Sequence, residues 1–288
     1  MNDTVMTYDF QIAGLMIRNT PPFPITITPE SQPFLSSPSG CRPDITFTFQ
    51  AVSCLADPSA AGNWTENRFH GTDSGLQAVW FRPRPGEKPY ALVQHETNAL
   101  HCQYLRGAEH RMNLSRNLTD LMSLEIPLLS HNGFLLHAAF VRWQEKGILF
   151  SGPSGVGKST QADLWKTHLS GDILNGDRAA LRRMEDGWRG WGLPYAGTSG
   201  IYRNESAPVT AIVMLEQAPV NRVRRLSPGE AFRSLYPQVT IHRWDSDFTK
   251  QVSDLMLELI EAIPVYLLSC RPDTQAAELL HETLMKGE

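Results

Sequence analysis

Apolar and polar residues alternate along the first third of the chain in the manner of β-strands. The clearest case is ITFTFQAV from Ile45, where the alternation falls on β-branched and aromatic residues. The segment RPRPGEKP from Arg82 is typical of a turn, and the Pro-, Ser- and Thr-rich stretch 21–43 predicts loops with short extended pieces. We therefore predict a β-rich N-terminal region over residues 1–111, with weaker strand patterns at 8–17, 76–81, 90–93 and 100–105.

The pattern then becomes helical and afterwards alternates between strands and helices. Apolar residues at helical spacing from Leu114 to Leu129 predict a linker helix that Pro127 limits. We assign the fold to the α/β class and place the second region at residues 112–288. Its predicted strands cover 134–143, a short run from Ile148, 173–174, 179–184, 211–215 and 265–268, with a turn at 145–147. Its predicted helices cover 159–169, 228–236, 248–262 and 272–285.

Composition narrows the class of protein. Hydrophobic residues make up 41% of the 288 residues, which is enough for a folded core. The net charge of -4 argues against a general nucleic-acid binder. No run approaches the roughly 18 apolar residues of a membrane span, and the first ten residues have no signal-peptide pattern. The 4 cysteines form no CxxC pair. We expect a cytoplasmic protein with reduced thiols and with neither nucleic acid nor membrane as a partner.

A glycine-rich loop between a predicted strand and a predicted helix is the strongest indication of chemistry. The segment GPSGVGKS from Gly152 matches GxxxxGK[ST] at every fixed position. Glycines allow backbone N–H groups to point at a phosphate, Lys158 adds a positive charge, and Ser159 offers a hydroxyl to Mg²⁺. A glycine-rich turn without a ligand is the alternative, but the flanking elements favour ATP or GTP. The predicted cofactor-binding residues are Gly152, Pro153, Ser154, Gly155, Val156, Gly157, Lys158, Ser159 and Thr160.

Two further residues are candidates for catalysis beside Lys158. Asp177, at the end of the short apolar strand in ILNGDRAAL, could hold Mg²⁺ together with Ser159 or take a proton from an acceptor hydroxyl. The alternative is a turn aspartate supported by Gly176. His137 interrupts the apolar run FLLHAAF, where a satisfied core histidine is the competing interpretation.

Other polar residues are less specific. The glycine-bearing loop over 192–206 contains Thr198, Ser199 and Arg203, and it is equally well interpreted as a substrate-binding loop or as an ordinary connection. A second group has donor atoms suited to zinc, but its spacings fit no tetrahedral motif, so we interpret its members as surface or strand residues: His95, His101, Cys102 and His110.

Taken together, HAAFVRWQEKGILFSGPSGVGKST, ILNGDRAAL and AIVMLEQ preceded by GTSGIYRN resemble the catalytic domain of HPr kinase/phosphorylase. That family belongs with the ATP-dependent phosphoenolpyruvate carboxykinases, and the resemblance covers residues 131–285. It implies that His137 matches the active-site histidine, Asp177 the second aspartate of a metal-binding pair, and Arg203 an arginine near the phosphates. Gly176 departs from the family, which has its first aspartate, the usual proton acceptor, at that place. Three alternatives follow: Asp177 serves both roles, His137 or a water molecule accepts the proton, or the transfer activity is altered or lost.

The resemblance implies an ATP-dependent kinase that uses Mg²⁺ to phosphorylate a hydroxyl of a protein, peptide or small molecule. The family also tends toward homo-oligomers. HPr itself is not the expected acceptor, because the N-terminal region and the C-terminal part differ from the family. Three alternatives remain open: a nucleotide-binding recognition module without phosphotransfer, which Gly176 favours, a carboxykinase-like metabolic enzyme, and the reverse, phosphorylase reaction.

Overall fold

The computed structural model describes residues 6–37, 40–58, 62–195 and 197–286, which divide into two units. One unit comprises Met1–Ser130 together with His242–Thr249, and the other comprises His131–Ile241 together with Lys250–Glu288. The segment that the sequence analysis treated as a linker into the second region therefore lies in the first unit. None of the described helices combines the length and the apolar character needed to cross a membrane.

The described residues of the first unit form a nine-stranded sheet in the order β3-β1-β2-β4-β9-β8-β7-β6-β5. The strand predicted from Ile45 is confirmed as β4, and it pairs in parallel with β2 and β9. The pattern at 8–17 is a hairpin of two strands. The strands are β1 (Tyr8–Ile12), β2 (Leu15–Thr20), β3 (Leu35–Ser36), β4 (Ile45–Val52), β5 (Gly62–Thr65), β6 (Arg68–Asp73), β7 (Leu76–Phe81), β8 (Ala91–His95) and β9 (Ala99–Leu105).

The prediction of one continuous helix from Leu114 to Leu129 is wrong. The chain forms two short helices, α1 (Ser115–Leu121) and α2 (Glu125–Ser130). Between them Ser123 has a φ of 41°, a left-handed conformation that an α-helix cannot contain. Pro127 does not end a helix but lies in the first turn of α2, where its missing N–H leaves no helical hydrogen bond unmade.

The second unit mixes strands and helices, which confirms the α/β class at this level. Its strands are β10 (Gly133–Trp143), β11 (Lys146–Ser151), β12 (Asp172–Asn175), β13 (Arg178–Met184), β14 (Gly187–Trp191), β15 (Ser206–Gln217), β16 (Arg222–Arg225) and β17 (Val265–Cys270). Its helices are α3 (Lys158–Leu169), α4 (Pro228–Leu235) and α6 (Thr274–Lys286), and α5 (Ser246–Ala262) starts among the residues of the first unit.

Two long strands organise the second unit. The first half of β10 pairs with β13 and its second half with β11, while β15 pairs first with β14 and then in parallel with β11. β17 continues the parallel arrangement on the other side of β15. Trp165 of α3 and Phe150 of β11 are fully buried in the core against this sheet. The carboxyl ends of β11, β15 and β17 consequently meet at one edge, where ligands commonly bind in α/β sheets.

Candidate active site

The glycine-rich loop leaves the buried strand β11 at that edge and leads directly into α3. Its glycines have φ angles of 141° at Gly152, 78° at Gly155 and 114° at Gly157, in the region that favours glycine. A Cβ added at Gly155 or Gly157 would meet no atom within 4 Å, whereas one at Gly152 would lie 3.1 Å from Val156 Cγ1. The tip of the loop, at Gly155 and Gly157, is therefore open to a ligand, whereas its base at Gly152 is packed against neighbouring residues.

Lys158 lies at the start of α3 and is 8% exposed. Its Nζ donates to the carbonyl oxygens of Gly152 at 2.9 Å and Pro153 at 3.1 Å, so the amine lies under the loop. Burial lowers its pKa, and the nearby charge of Asp177 partly opposes that effect. Ser159 and Thr160 follow on the exposed side of the same helical turn. This end of a helix, with its N–H groups and positive dipole, suits an anionic ligand.

A cavity of about 590 Å³ adjoins the loop, a volume in the usual range for small-molecule sites. Gln217 at the end of β15 donates from Nε2 to the carbonyl oxygen of Gly155 at 3.2 Å, which links the cavity wall to the loop. The wall is built from the loop, the first turns of α3 and the residues that follow β15 and β17. It consists of Gly155, Val156, Gly157, Thr160, Gln161, Gln217, Ala218, Pro219, Cys270, Arg271 and Pro272.

Asp177 follows β12 and is fixed through its backbone. Its N–H donates to Asn175 Oδ1 at 2.9 Å, and its carbonyl oxygen accepts from Ala138 N at 3.1 Å. Asn175 is fully buried, and its Nδ2 donates to the carbonyl oxygens of Leu193 and Tyr195. Sequence reasoning did not single out Asn175, although an asparagine two residues before a turn residue is the known signal for such a side-chain turn.

His137 lies on β10 with its Nε2 3.7 Å from Asp177 Oδ1, and both side chains are about one-third exposed. Burial lowers the pKa of His137, the charge of Lys158 lowers it further, and Asp177 opposes these effects. The imidazole is therefore predominantly neutral near pH 7. The three residues predicted as catalytic, Lys158, Asp177 and His137, lie together. Arg178 adds a cation that the sequence analysis missed, with its Nε 3.6 Å from Asp177 Oδ2.

The loop over 192–206 lies against Gly176 and Asp177. Ser199 packs on Gly176 so closely that an added Cβ there would lie 2.3 Å from Ser199 Oγ. The backbone at Gly197 likewise approaches the side chain of Asp177. The side chain of Thr198 lies outside the part of the chain that the structure describes. Arg203 lies away from Asp177. Its guanidinium is 3.7 Å from Asp172 Oδ1, at the opposite end of β12.

Comparison with known proteins assigns neither a family nor an activity to this chain. No protein-family profile matches the chain, and no curated protein matches it. Among solved structures, the HPr(Ser) kinase/phosphatase from Coxiella burnetii is similar to this chain with 15% sequence identity and a TM-score of 0.30. The match covers 53% of this chain and 94% of that one.

Proposed function

We propose that this chain binds a magnesium complex of ATP at residues 152–160 and transfers the γ-phosphate to a hydroxyl group. One observation carries the proposal: a buried lysine, Lys158, donates to the carbonyl oxygens of an open glycine-rich loop and interacts electrostatically with the carboxylate of Asp177. Phosphoryl transfer needs this combination, since most of its catalysis is positioning and charge stabilisation.

The nucleoside would occupy the 590 Å³ cavity beyond the loop. Its wall combines apolar groups at Val156, Ala218 and Pro219 with polar ones at Gln217 and Arg271, which suits a flat ring with a polar rim. The phosphates would lie on the loop, within reach of Lys158. Mg²⁺, held by the Ser159 hydroxyl and the Asp177 carboxylate, would supply charge neutralisation at the phosphates.

In the transfer, Asp177 accepts the proton of the acceptor hydroxyl. The hydroxyl oxygen forms a bond to the γ-phosphorus, and the bond from that phosphorus to the β–γ bridging oxygen breaks, which releases ADP. Neutral His137, 3.7 Å from the Asp177 carboxylate, positions that group. Gly176 carries no carboxylate, so Asp177 serves as proton acceptor as well as metal ligand.

A second candidate function is nucleotide-dependent recognition without phosphotransfer. The contact between Gly176 and Ser199 favours it, because it leaves no room for a second carboxylate at this turn. Both candidate functions require nucleotide binding at the loop, but only the kinase converts ATP to ADP.

The test combines thermal shift with ADP release, measured for the wild-type protein and Lys158→Ala in Mg²⁺ with ATP, GTP, ADP or AMP. We expect stabilisation of the wild type by ATP, slow ADP release, and loss of both in Lys158→Ala. Lys166→Ala is the matched control, since Lys166 is an exposed lysine on the same helix. Stabilisation without turnover would favour the recognition module. A wild type that no nucleotide stabilises would refute both functions.

A further inference from the structure

The first unit contains a buried group of histidines around one glutamate. His70 lies on β6, His95 on β8, Glu125 at the start of α2, and His242 in the segment His242–Thr249. They are respectively 8%, 5%, 7% and 6% exposed. Ionisable side chains are seldom buried to this degree unless they are paired or bind a metal. The group takes no part in the proposed phosphotransfer.

Three of these side chains have the spacing of metal ligands. One donor atom from each of His70, Glu125 and His242 lies within 4.8 Å of the other two. His242 Nε2 and Glu125 Oε1 are 3.4 Å apart. Donor atoms bound tetrahedrally to zinc at about 2.0–2.2 Å are separated by roughly 3.4 Å. A charge-assisted hydrogen bond between the two groups would instead measure about 2.7–2.9 Å.

The buried rings also contain nitrogens that lack hydrogen bonds. Four buried ring nitrogens have no hydrogen-bond partner among the described residues: His70 Nδ1, His95 Nδ1, His95 Nε2 and His242 Nδ1. A buried polar atom left without a partner is destabilising, and metal coordination would supply a partner to His70.

We propose that His70, Glu125 and His242 bind a Zn²⁺ ion in a buried site beside His95, with a water molecule as the fourth tetrahedral ligand. Two imidazoles and one carboxylate suit zinc, whereas Mg²⁺ and Ca²⁺ prefer oxygen ligands alone. The cation would also offset the buried charge of Glu125.

Such an ion would connect parts of the first unit that are distant in sequence. It would tie the segment 242–249 to β6 and α2 through His242. This segment already contacts the sheet, because Gln77 Nε2 donates to Asp245 Oδ2 at 2.8 Å. The ring of His242 also stacks on Phe248 with the centroids 4.3 Å apart. The proposed role is therefore to fix this segment in place, independently of nucleotide binding.

The first experiment measures metal content in the whole chain, produced without a histidine tag and desalted into metal-free buffer. We expect about one zinc ion per chain in the wild type and less than about 0.2 in Glu125→Gln and His242→Gln. His110→Gln is the control, since His110 is an exposed histidine of the same unit, and its zinc content should equal that of the wild type. Undiminished zinc in both ligand variants would overturn the assignment.

A second measurement needs no variant and so does not depend on whether the variants fold. The wild type is stripped with a chelator and titrated with Co²⁺, which gives intense visible bands when it is tetrahedral. We expect these bands at about one equivalent, their loss when Zn²⁺ is added, and a thermal midpoint that zinc raises by more than about 5 °C. No bands and no stabilisation would mean a metal-free ion pair between His242 and Glu125, and the proposal would fail.

Discussion

The carboxylate of Asp177 can act chemically because its backbone is held on both sides, by Asn175 and by Ala138. A fixed backbone limits where the carboxylate can lie relative to Lys158. The substitution Asp177→Asn keeps the shape and removes the charge and the basic oxygen.

We expect Asp177→Asn to lower the rate of ADP release at least about 100-fold, the usual scale for loss of a general base. Nucleotide affinity, measured by titration calorimetry with ADP and Mg²⁺, should fall by less than about 10-fold, since the loop and Lys158 remain. Asp163→Asn, on an exposed position of α3, should change neither quantity. An unchanged rate with lost affinity would limit Asp177 to metal binding.

A second residue-scale prediction concerns Gly176. Because its added Cβ would overlap Ser199, Gly176→Ala should lower the free energy of unfolding by about 1–3 kcal/mol. In a Ser199→Gly background, which removes the overlapping atoms, the same substitution should cost less than half as much. Urea unfolding of the four proteins in this cycle measures the difference. Equal costs in both backgrounds would show that the contact with Ser199 does not constrain position 176.

At the scale of elements, the break between α1 and α2 depends on one left-handed residue. Ser123 is 1% exposed, and its Oγ has no hydrogen-bond partner among the described residues. Ser123→Gly and Ser123→Ala both remove this hydroxyl, but only glycine adopts a φ of 41° without strain. We expect Ser123→Gly to be more stable than Ser123→Ala by about 1 kcal/mol in urea unfolding. If alanine proved equal or better, the left-handed break would not hold in solution.

A helix or strand could be predicted from the sequence where the pattern that marks it lies within the element or next to it. β4 carries its own alternation, β7 is a short run of mainly apolar residues, and the helix after the glycine-rich loop has a local motif before it. β16, with the sequence RVRR, and β14, with GWRGW, were missed, because one is a charged strand and the other contains glycine. Propensity does not identify such strands, whose pairing partners decide their structure.

The candidate sites differ in the same way. The loop, Asp177 and His137 could be singled out because each is marked within a short segment. The group around Glu125 could not, because His70 and His242 are far apart in sequence and no spacing rule joins them. His95 has donor atoms suited to zinc, but its spacing from other histidines and cysteines in the sequence fits no zinc motif. In the fold His95 lies close to residues that are distant from it in sequence, so only the tertiary structure shows that they form one group.

At the scale of the whole molecule, the first unit is not continuous in sequence. It needs the segment 242–249, which the chain supplies after most of the second unit. Phe248 in this segment is 1% exposed, and burying such a ring contributes about 1.5–3 kcal/mol. A fragment of residues 1–130 lacks this packing and the hydrogen bond from Gln77 to Asp245.

We therefore expect the fragment 1–130 to be at least about 2 kcal/mol less stable than the same fragment joined to residues 242–249 by a flexible Gly/Ser linker. Urea unfolding followed by tryptophan fluorescence measures this difference, and a chelator in the buffer separates packing from any bound metal. The control fusion carries alanine at His242, Trp244 and Phe248 and should be no more stable than the fragment alone. If the fragment were as stable as the intact fusion, residues 242–249 would contribute nothing to the stability of the first unit, and residues 1–130 alone would account for it. A higher stability of the intact fusion would instead mean that the first unit reaches its full stability only with a segment that the chain supplies after most of the second unit.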